Sequence, residues 1–211
     1  MASKLIDITQ TISEAVPVWP GDTPFSMTPT WTMDDSPVLV SKMTLSTHTG
    51  THADAHTHYA QGAVDSAGRA LMPYIGHCIV VEAFREQADV VLFDEIAAAL
   101  DASPHIPERI LIRTFETFPT TRWPERFRAI SPELIRKVAN LGCHLIGTDA
   151  PSIDPQESKT MDAHHVVHEH DMAILEGLVL DQVKPGEYEL IALPLKIAGA
   201  DATPVRAVLR T

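Results

Sequence analysis

The residues from His48 to His58 place many metal-binding side chains in one short segment. In THTGTHADAHTHY, four histidines and one aspartate alternate with threonine and alanine. Imidazole and carboxylate groups together form the donor set that Zn²⁺, Mn²⁺ or Fe²⁺ accepts. A lone histidine would more often line a polar loop, but this density favours a metal site. The candidate ligands are His48, His52, Asp54, His56 and His58.

The spacing of these ligands also predicts the shape of the backbone. Alternation with β-branched residues indicates extended chain, yet an ideal strand would hold His48 and His52 about 13 Å apart at ~3.3 Å per residue. Imidazole nitrogens that share a metal lie about 2.0 to 2.1 Å from it. We therefore expect a bend between the two histidines, at Gly50, which can adopt backbone angles that other residues rarely adopt.

A second cluster of histidines lies in MDAHHVVHEHDMAILE. On a helix, His164 and His168 would share a face, because residues four apart are neighbours. Glu176 enters an apolar run, where an ionised carboxylate is costly to bury unless a metal or a cation compensates it. We therefore predict Glu176 to be a ligand, and we expect Glu169 and Asp171 to lie on a solvated face.

Composition limits the classes of protein that this chain can be. Its 211 residues are 45% hydrophobic and 21% charged, which suits a single globular domain over residues 1–211. A formal net charge of −12 disfavours nucleic acid and anionic membranes as partners. No apolar run reaches the roughly 20 residues that span a bilayer, and MASKLIDIT lacks the apolar stretch of a secretory signal. We expect a soluble cytoplasmic protein whose two cysteines, Cys78 and Cys143, stay reduced and buried.

Short apolar and β-branched runs, separated by proline and glycine, predict many strands and few helices. We predict a strand-rich α/β (α+β) fold of two sheets with helices on one side. Residues 17–37 are predicted to be extended loop and edge strand. The predicted strands are Leu5–Ile8, Val38–Leu45, Cys78–Ala83, Ile110–Arg113, His144–Gly147, Leu175–Leu180, Leu190–Pro194 and Val205–Leu209, and the predicted helices are Asp94–Leu100, Ser131–Leu141 and Asp162–Asp171.

The first histidine cluster resembles the His-x-Gly-Thr-His-x-Asp-x-Pro-x-His signature of the cyclase-like metal hydrolases. The likeness continues through VWPGDTPF, GTDAPSIDP, AHHVVHEHDMAILEGLVLD and LPLKIAGADATPVRAV, and so covers nearly the whole chain. The resemblance implies the swivelling ββα cyclase-like fold and a homodimer. It also implies hydrolysis of an aryl formamide, N-formyl-L-kynurenine, in tryptophan breakdown.

The resemblance further implies a centre of two zinc ions, for which manganese or another divalent metal could substitute. His48, His52 and Asp54 would hold one ion. Asp54 would bridge to the second ion, which His164 and Glu176 would complete.

Other residues carry implied or weaker roles. By the resemblance, His58 would be the general acid and base, and Trp19 would lie against the aromatic ring of the substrate. Trp31 and Trp123 show no comparable signal and are interpreted as packing residues. Asp149 follows a predicted strand and is a candidate for orienting a histidine.

His56 departs from the signature, which has proline at this position. Proline would fix the local backbone and remove an N–H. We interpret His56 as an outward-facing substitution, with an additional or shifted metal ligand as the alternative. Two alternative functions remain: a related hydrolase that opens a cyclic amide such as an isatin, and a non-catalytic metal-binding protein.

Overall fold

The computed structural model describes residues 3–85, 88–105 and 107–211, and over these ranges strands outnumber helices. This confirms the predicted strand-rich α/β class. The strands are β1 (Leu5–Asp7), β2 (Ser26–Trp31), β3 (Val40–Thr44), β4 (His52–Asp54), β5 (Ile75–Glu82), β6 (Val90–Val91), β7 (Arg109–Arg113), β8 (Ala129–Ile130), β9 (Leu145–Thr148), β10 (Ala173–Glu176), β11 (Gly186–Ile191), β12 (Ala202–Pro204) and β13 (Val208–Arg210). The helices are α1 (Phe93–Asp101), α2 (Pro132–Asn140) and α3 (Asp162–Glu169), with 3-10 turns at His56–His58 and Met72–Tyr74.

Nine strands of the described ranges form one mixed sheet, in the order β1-β13-β11-β5-β7-β9-β10-β4-β12. The central strands β5, β7, β9 and β10 run parallel, and antiparallel pairs extend the sheet on both sides. The expectation of two sheets is corrected: β4 and β12 continue the central sheet instead of starting a second one. Two short pairs, β2-β3 and β6-β8, lie outside it.

The two faces of the central sheet pack against different partners, because side chains alternate along a strand. In β7, Ile110 and Ile112 pack in the cluster that contains the helices, with Ile135 of α2 among its members. Leu111 lies on the opposite face, in a second buried cluster that includes Leu209 near the C-terminus. The helices therefore cover one face, as predicted.

The ends of the helices follow local chemistry. The Ser131 hydroxyl accepts a hydrogen bond from the Leu134 N–H at 3.2 Å, and Pro132 occupies the first position of α2, as the Ser-Pro-Glu pattern predicts. Helix α3 ends at Glu169, two residues before the predicted end at Asp171. Asp171 has a φ of 48°, in the left-handed region, which ends the helical path.

Strand β10 is shorter than the predicted Leu175–Leu180 because the chain turns directly after Glu176. Gly177 has a φ of +63°, which favours glycine. A Cβ atom at this position would lie 2.6 Å from Nε2 of Gln10 and 2.8 Å from the carbonyl oxygen of Gly50. Glycine is thus required both for the turn and for the close approach of the segment that carries the first histidine cluster.

Two further expectations concern the cysteines and the membrane. Cys78 and Cys143 are free and buried, and burial raises the pKa of each thiol to about 12, so both behave as small core residues. Among the described helices, none has the length and hydrophobicity needed to cross a bilayer.

Candidate metal centre

Strand β4 places two ligand candidates on one face. His52 and Asp54 are two residues apart, so their side chains point the same way, while the buried Ala53 between them packs in the apolar core. In the antiparallel pairing of β4 with β10, Glu176 lies directly opposite His52. The register of two strands therefore brings an imidazole and a carboxylate together from positions far apart in the chain.

The expected bend before β4 is present at Gly50, whose φ is +66°. Its carbonyl oxygen accepts a hydrogen bond from Nδ1 of His52 at 2.9 Å, which leaves Nε2 of His52 directed at the neighbouring carboxylates. The bend brings the ring of His48 to 5.0 Å from that of His52, measured between centroids. The two imidazoles thus converge despite the extended pattern of the sequence.

Helix α3 contributes one histidine of its cluster to the same site. His164 is buried, and its Nε2 lies 3.4 Å from Oδ2 of Asp54 and 3.6 Å from Oε1 of Glu176. His165 and His168 are exposed instead. The exposed Glu169 and Asp171 of the same cluster lie on the solvated face, as expected.

Several buried donor atoms at the centre lie close enough together to be candidate ligands of a divalent cation. Nε2 of His52 and both carboxylate oxygens of Asp54 are buried without a hydrogen-bond partner in the described part of the chain. Leaving such groups unpaired is costly, and a metal ion would compensate them. Two triads have ligand atoms within 4.8 Å of one another and share Asp54. They are His48, Asp54 and His58, and His52, Asp54 and Glu176.

Electrostatics at the centre reflect this crowding of opposite charges. Burial by itself would lower the pKa of His52, but the adjacent carboxylates of Asp54 and Glu176 raise it to about 10. Burial likewise opposes a charge on His164, yet Asp154 and Asp54 raise its pKa to about 10. Burial would raise the pKa of Asp54, but the surrounding imidazoles hold it well below its usual range.

Two aspartates that sequence reasoning missed orient the histidines. The carboxylate of Asp154 accepts hydrogen bonds from Nδ1 of His164 at 2.6 Å and from the backbone N–H groups of Ala163 and His164 at 3.1 Å. Asp201 has one oxygen 3.2 Å from Nε2 of His48 and 3.5 Å from Nδ1 of His58. Both lie in segments that carry the family resemblance, GTDAPSIDP and LPLKIAGADATPVRAV, and that resemblance is the signal that could have found them.

The role predicted for Asp149 is corrected by its contacts. Its carboxylate accepts hydrogen bonds from the N–H and hydroxyl of Thr114 and from the N–H of Phe115, at 2.6 to 3.0 Å, and no histidine of the described residues is among its partners. Asp149 therefore holds the segment after β7 in place through hydrogen bonds. Asp154, in the same loop, is the residue that orients a histidine, His164.

His58 lies at the open side of the centre. Its side chain is 30% exposed, compared with 1% for His164, and its ring centroid lies 4.2 Å from that of His48. Burial lowers its pKa, and the charges of His48 and His164 act in the same direction. The carboxylates of Asp54 and Glu176 oppose this shift without cancelling it.

A cavity of about 300 Å³ opens onto the centre, and aromatic side chains form much of its wall. Trp19 lines it, as does Trp123, which packs edge-on against Trp19 with centroids 5.3 Å apart. The indole N–H of Trp123 donates to Oε1 of Gln156 at 2.8 Å, which fixes its ring. The interpretation of Trp123 as a packing residue is thus corrected: it is part of the cavity wall.

The structure also corrects the expectation for His56, which points inward. Its exposed fraction is 4%. Its Nε2 lies 2.9 Å from the carbonyl oxygen of Met172, and its Nδ1 lies 3.1 Å from a guanidinium nitrogen of Arg69. Both ring nitrogens are therefore occupied by protein partners, and His56 is in neither ligand triad.

The fold and the buried histidine–carboxylate cluster are those of a metal-dependent hydrolase. A solved structure described as a potential metal-dependent hydrolase with cyclase activity superimposes with a TM-score of 0.83 and 26% identity, covering 99% of this chain and 98% of that one. Isatin hydrolase A from Ralstonia solanacearum has a TM-score of 0.85 at 22% identity, covering 99% and 92% of the two chains, a likeness that concerns the fold alone.

Sequence comparison establishes the family. The family model for putative cyclases matches residues 6–155, more than half of the chain, and the chain belongs to the cyclase family. A kynurenine formamidase from Maricaulis maris (strain MCS10) is 53% identical over 209 residues, which are 99% of this chain and 98% of that protein.

Proposed function

We propose that this protein hydrolyses the formyl amide of N-formyl-L-kynurenine to L-kynurenine and formate. The observation that carries the proposal is the buried cluster of histidines and carboxylates at the floor of an aromatic-walled cavity. Such a cavity suits a substrate with an aryl ring next to the bond that is cleaved. The full-length similarity to a kynurenine formamidase supports the choice of substrate.

In this proposal the site would hold two zinc ions, and Asp54 would contribute to both. One carboxylate oxygen of Asp54 faces His48 and His52, at 3.2 and 3.3 Å, and the other faces His164 at 3.4 Å. This division supports one ion held by His48, His52 and Asp54, and a second held by Asp54, His164 and Glu176. The chemistry that divalent cations supply in such a site is polarisation of the amide carbonyl and acidification of water.

His58 is proposed as the general acid and base. Its side chain faces the cavity and is more exposed than those of His48, His52 and His164. During hydrolysis, the bond between the formyl carbon and the aniline nitrogen breaks, and that nitrogen needs a proton. A neutral imidazole takes a proton from the attacking water and delivers it to the departing amine. Asp201, at 3.5 Å from Nδ1, orients the ring for this transfer.

Trp19 is proposed to contact the aryl ring of the substrate. It lies between Pro17 and Pro20 on a stiff segment, and Trp123 supports it from the side. In this position, the indole of Trp19 would exclude water from the carbonyl that reacts and would hold the aryl group of the substrate in one orientation.

A homodimer is proposed from the β2-β3 hairpin, whose strand residues are all exposed. Met27 and Met43 lie opposite each other across the hairpin and are 56% and 62% exposed. Trp31 is 55% exposed, but it lies beyond a register shift and opposite Val40, on the other face of the hairpin. An exposed pair of methionines on a hairpin outside the main sheet is typical of a surface that a second copy of the chain covers.

We further infer that residues 1–211 act as one domain, since β1 and β13 pair within the main sheet. The proposed location is the cytoplasm, which the two buried free thiols support.

An absorbance assay with N-formyl-L-kynurenine, before and after chelation and with metal analysis of the same sample, tests the function. We expect turnover that chelation abolishes and zinc restores. Isatin is assayed in parallel as the comparison substrate. If the protein is instead a cyclic-amide hydrolase, it should hydrolyse isatin in preference to N-formyl-L-kynurenine. Metal binding without turnover of either compound would instead identify a non-catalytic metal-binding protein.

A further inference from the structure

His56 occupies the proline position of the cyclase-like signature, at a place in the backbone that proline favours. Ala55 is extended, with φ −99° and ψ 153°, and His56 is the first residue of the 3-10 turn His56–His58. Proline favours an extended residue before it and the first position of a helical turn. Among the backbone hydrogen bonds of the described ranges, none is donated by the His56 N–H. Proline would fit this backbone without losing such a bond.

The side chain of His56 makes the contacts that proline cannot make. A guanidinium only donates hydrogen bonds, so Nδ1 of His56 accepts from Arg69, at 3.1 Å. The proton of the neutral ring is then on Nε2, which donates to the carbonyl oxygen of Met172 at 2.9 Å. Arg69 donates to the same carbonyl, also at 2.9 Å. Imidazole, guanidinium and carbonyl form a closed, buried triangle.

This triangle joins two segments that lead into the metal centre. The 3-10 turn that begins at His56 ends at His58, and Met172 immediately precedes β10, which ends at Glu176. Arg69 also donates to the carboxylate of Asp171 at 3.1 Å. Asp171 has left-handed backbone angles and immediately precedes Met172, so this bond helps to fix the position of Met172. The turn that carries His58 and the strand that carries Glu176 are thus tied together by side chains.

We infer that His56 and Arg69 are positioning residues, whose buried contacts with the Met172 carbonyl replace the backbone restraint of proline and hold His58 beside His48. This inference rests on the proposed role of His58 in proton transfer. Residues that orient a reacting or metal-binding group typically contribute about 10- to 100-fold to activity.

The test compares His56→Ala, which removes the side-chain restraint, with His56→Pro, which supplies a backbone restraint instead. For hydrolysis of N-formyl-L-kynurenine, we expect His56→Ala to lower kcat about 10- to 100-fold, with KM and zinc content kept. His56→Pro should recover kcat to within a few-fold of the unmodified protein. His168→Ala is the matched control, because its exposed ring packs 4.8 Å from that of His56 but belongs to α3.

Amide hydrogen exchange provides a second readout that does not depend on activity. The N–H groups of Thr57, His58 and Ala60 are bonded within or next to the turn. Their exchange should accelerate in His56→Ala and stay near the unmodified rate in His56→Pro, on the metal-loaded protein. If the unmodified protein does not hydrolyse the substrate, the proposed function fails, and exchange alone still tests the restraint.

Three results would overturn the inference. One is unchanged exchange and kcat in His56→Ala. Another is impairment of His56→Pro as severe as that of His56→Ala, which would show that the imidazole contacts themselves are needed. The third is loss of zinc from His56→Ala. If His56→Ala does not fold, His56→Pro decides, because it lacks both side-chain hydrogen bonds and is expected to remain active.

Discussion

The carboxylate of Asp154 lies 2.6 Å from Nδ1 of His164 and thereby directs the other ring nitrogen at Asp54 and Glu176. The same carboxylate accepts the N–H groups of Ala163 and His164 in the first turn of α3. One side chain therefore fixes both the helix and the imidazole that it carries. A histidine ligand oriented by a carboxylate is a recurrent arrangement in zinc sites.

Replacing Asp154 should weaken the metal centre. In Asp154→Asn the ring of His164 loses its charged partner, and we expect zinc affinity and kcat/KM to fall about 10- to 100-fold. Zinc analysis after dialysis and the formylkynurenine assay measure the two effects. Asp162→Asn, an exposed carboxylate in the same first turn, is the control and should behave like the unmodified protein. Equal zinc retention and turnover in both variants would contradict the role.

Replacing His58 separates proton transfer from metal binding. We expect His58→Ala to lower kcat by ~10² to 10⁴ because the departing amine loses its proton donor. Zinc content should stay at the level of the unmodified protein, and the exposed His165→Ala should leave both quantities unchanged. Since His58 also forms a possible ligand triad with His48 and Asp54, loss of zinc from His58→Ala would identify it as a ligand instead.

Metal affinity should increase with pH. The pKa of His52 and that of His164 are each raised to about 10 in the metal-free protein. At neutral pH both rings are therefore protonated on both nitrogens and positively charged. A metal takes the nitrogen lone pair and must displace that proton. By mass action, each proton released raises the apparent affinity about tenfold per pH unit below pH 10. Chelator competition between pH 6 and 8 measures the slope, and a flat profile would contradict the assignment of these ligands.

Truncating Trp123 should weaken substrate binding more than chemistry. Loss of its edge-on contact with Trp19 removes about 0.5 to 1.5 kcal/mol of aromatic interaction beyond area burial, so we expect KM to rise about 2- to 13-fold in Trp123→Ala. Trp123→Phe keeps an aromatic wall and should have a smaller effect. Steady-state kinetics with zinc analysis measure this. A fall in kcat alone, with KM unchanged, would argue against a role in the wall.

A charge on the apolar face of the hairpin should dissociate the proposed dimer. Met43→Lys places an ammonium among the exposed methionines, and desolvating it at an interface is unfavourable. Sedimentation velocity should show a shift from dimer to monomer. Thr28→Lys adds the same charge to the other face of the hairpin and should leave the dimer intact, since Thr28 lies opposite Lys42. An unmodified protein that is already monomeric would refute the dimer.

The elements and the candidate ligands can be predicted from the sequence because both depend on local patterns. The Ser-Pro start of α2, the bend at Gly50 and the polarity of the α3 surface follow from neighbouring residues. The end of β10 was predicted too late, since the close approach of Gln10 to the turn at Gly177 comes from another part of the chain.

The tertiary structure alone decided how the candidate residues are arranged. The choice of Asp154 over Asp149 as the partner of a histidine depends on which backbone groups each carboxylate meets after folding. The inward position of His56 depends on Arg69 and on the Met172 carbonyl, which are distant in sequence. Residue types and spacing thus determined which chemistry is possible, whereas pairing between remote segments determined which side chains take part. Burial and hydrogen-bond partners are properties of the folded chain, and a linear pattern does not contain them.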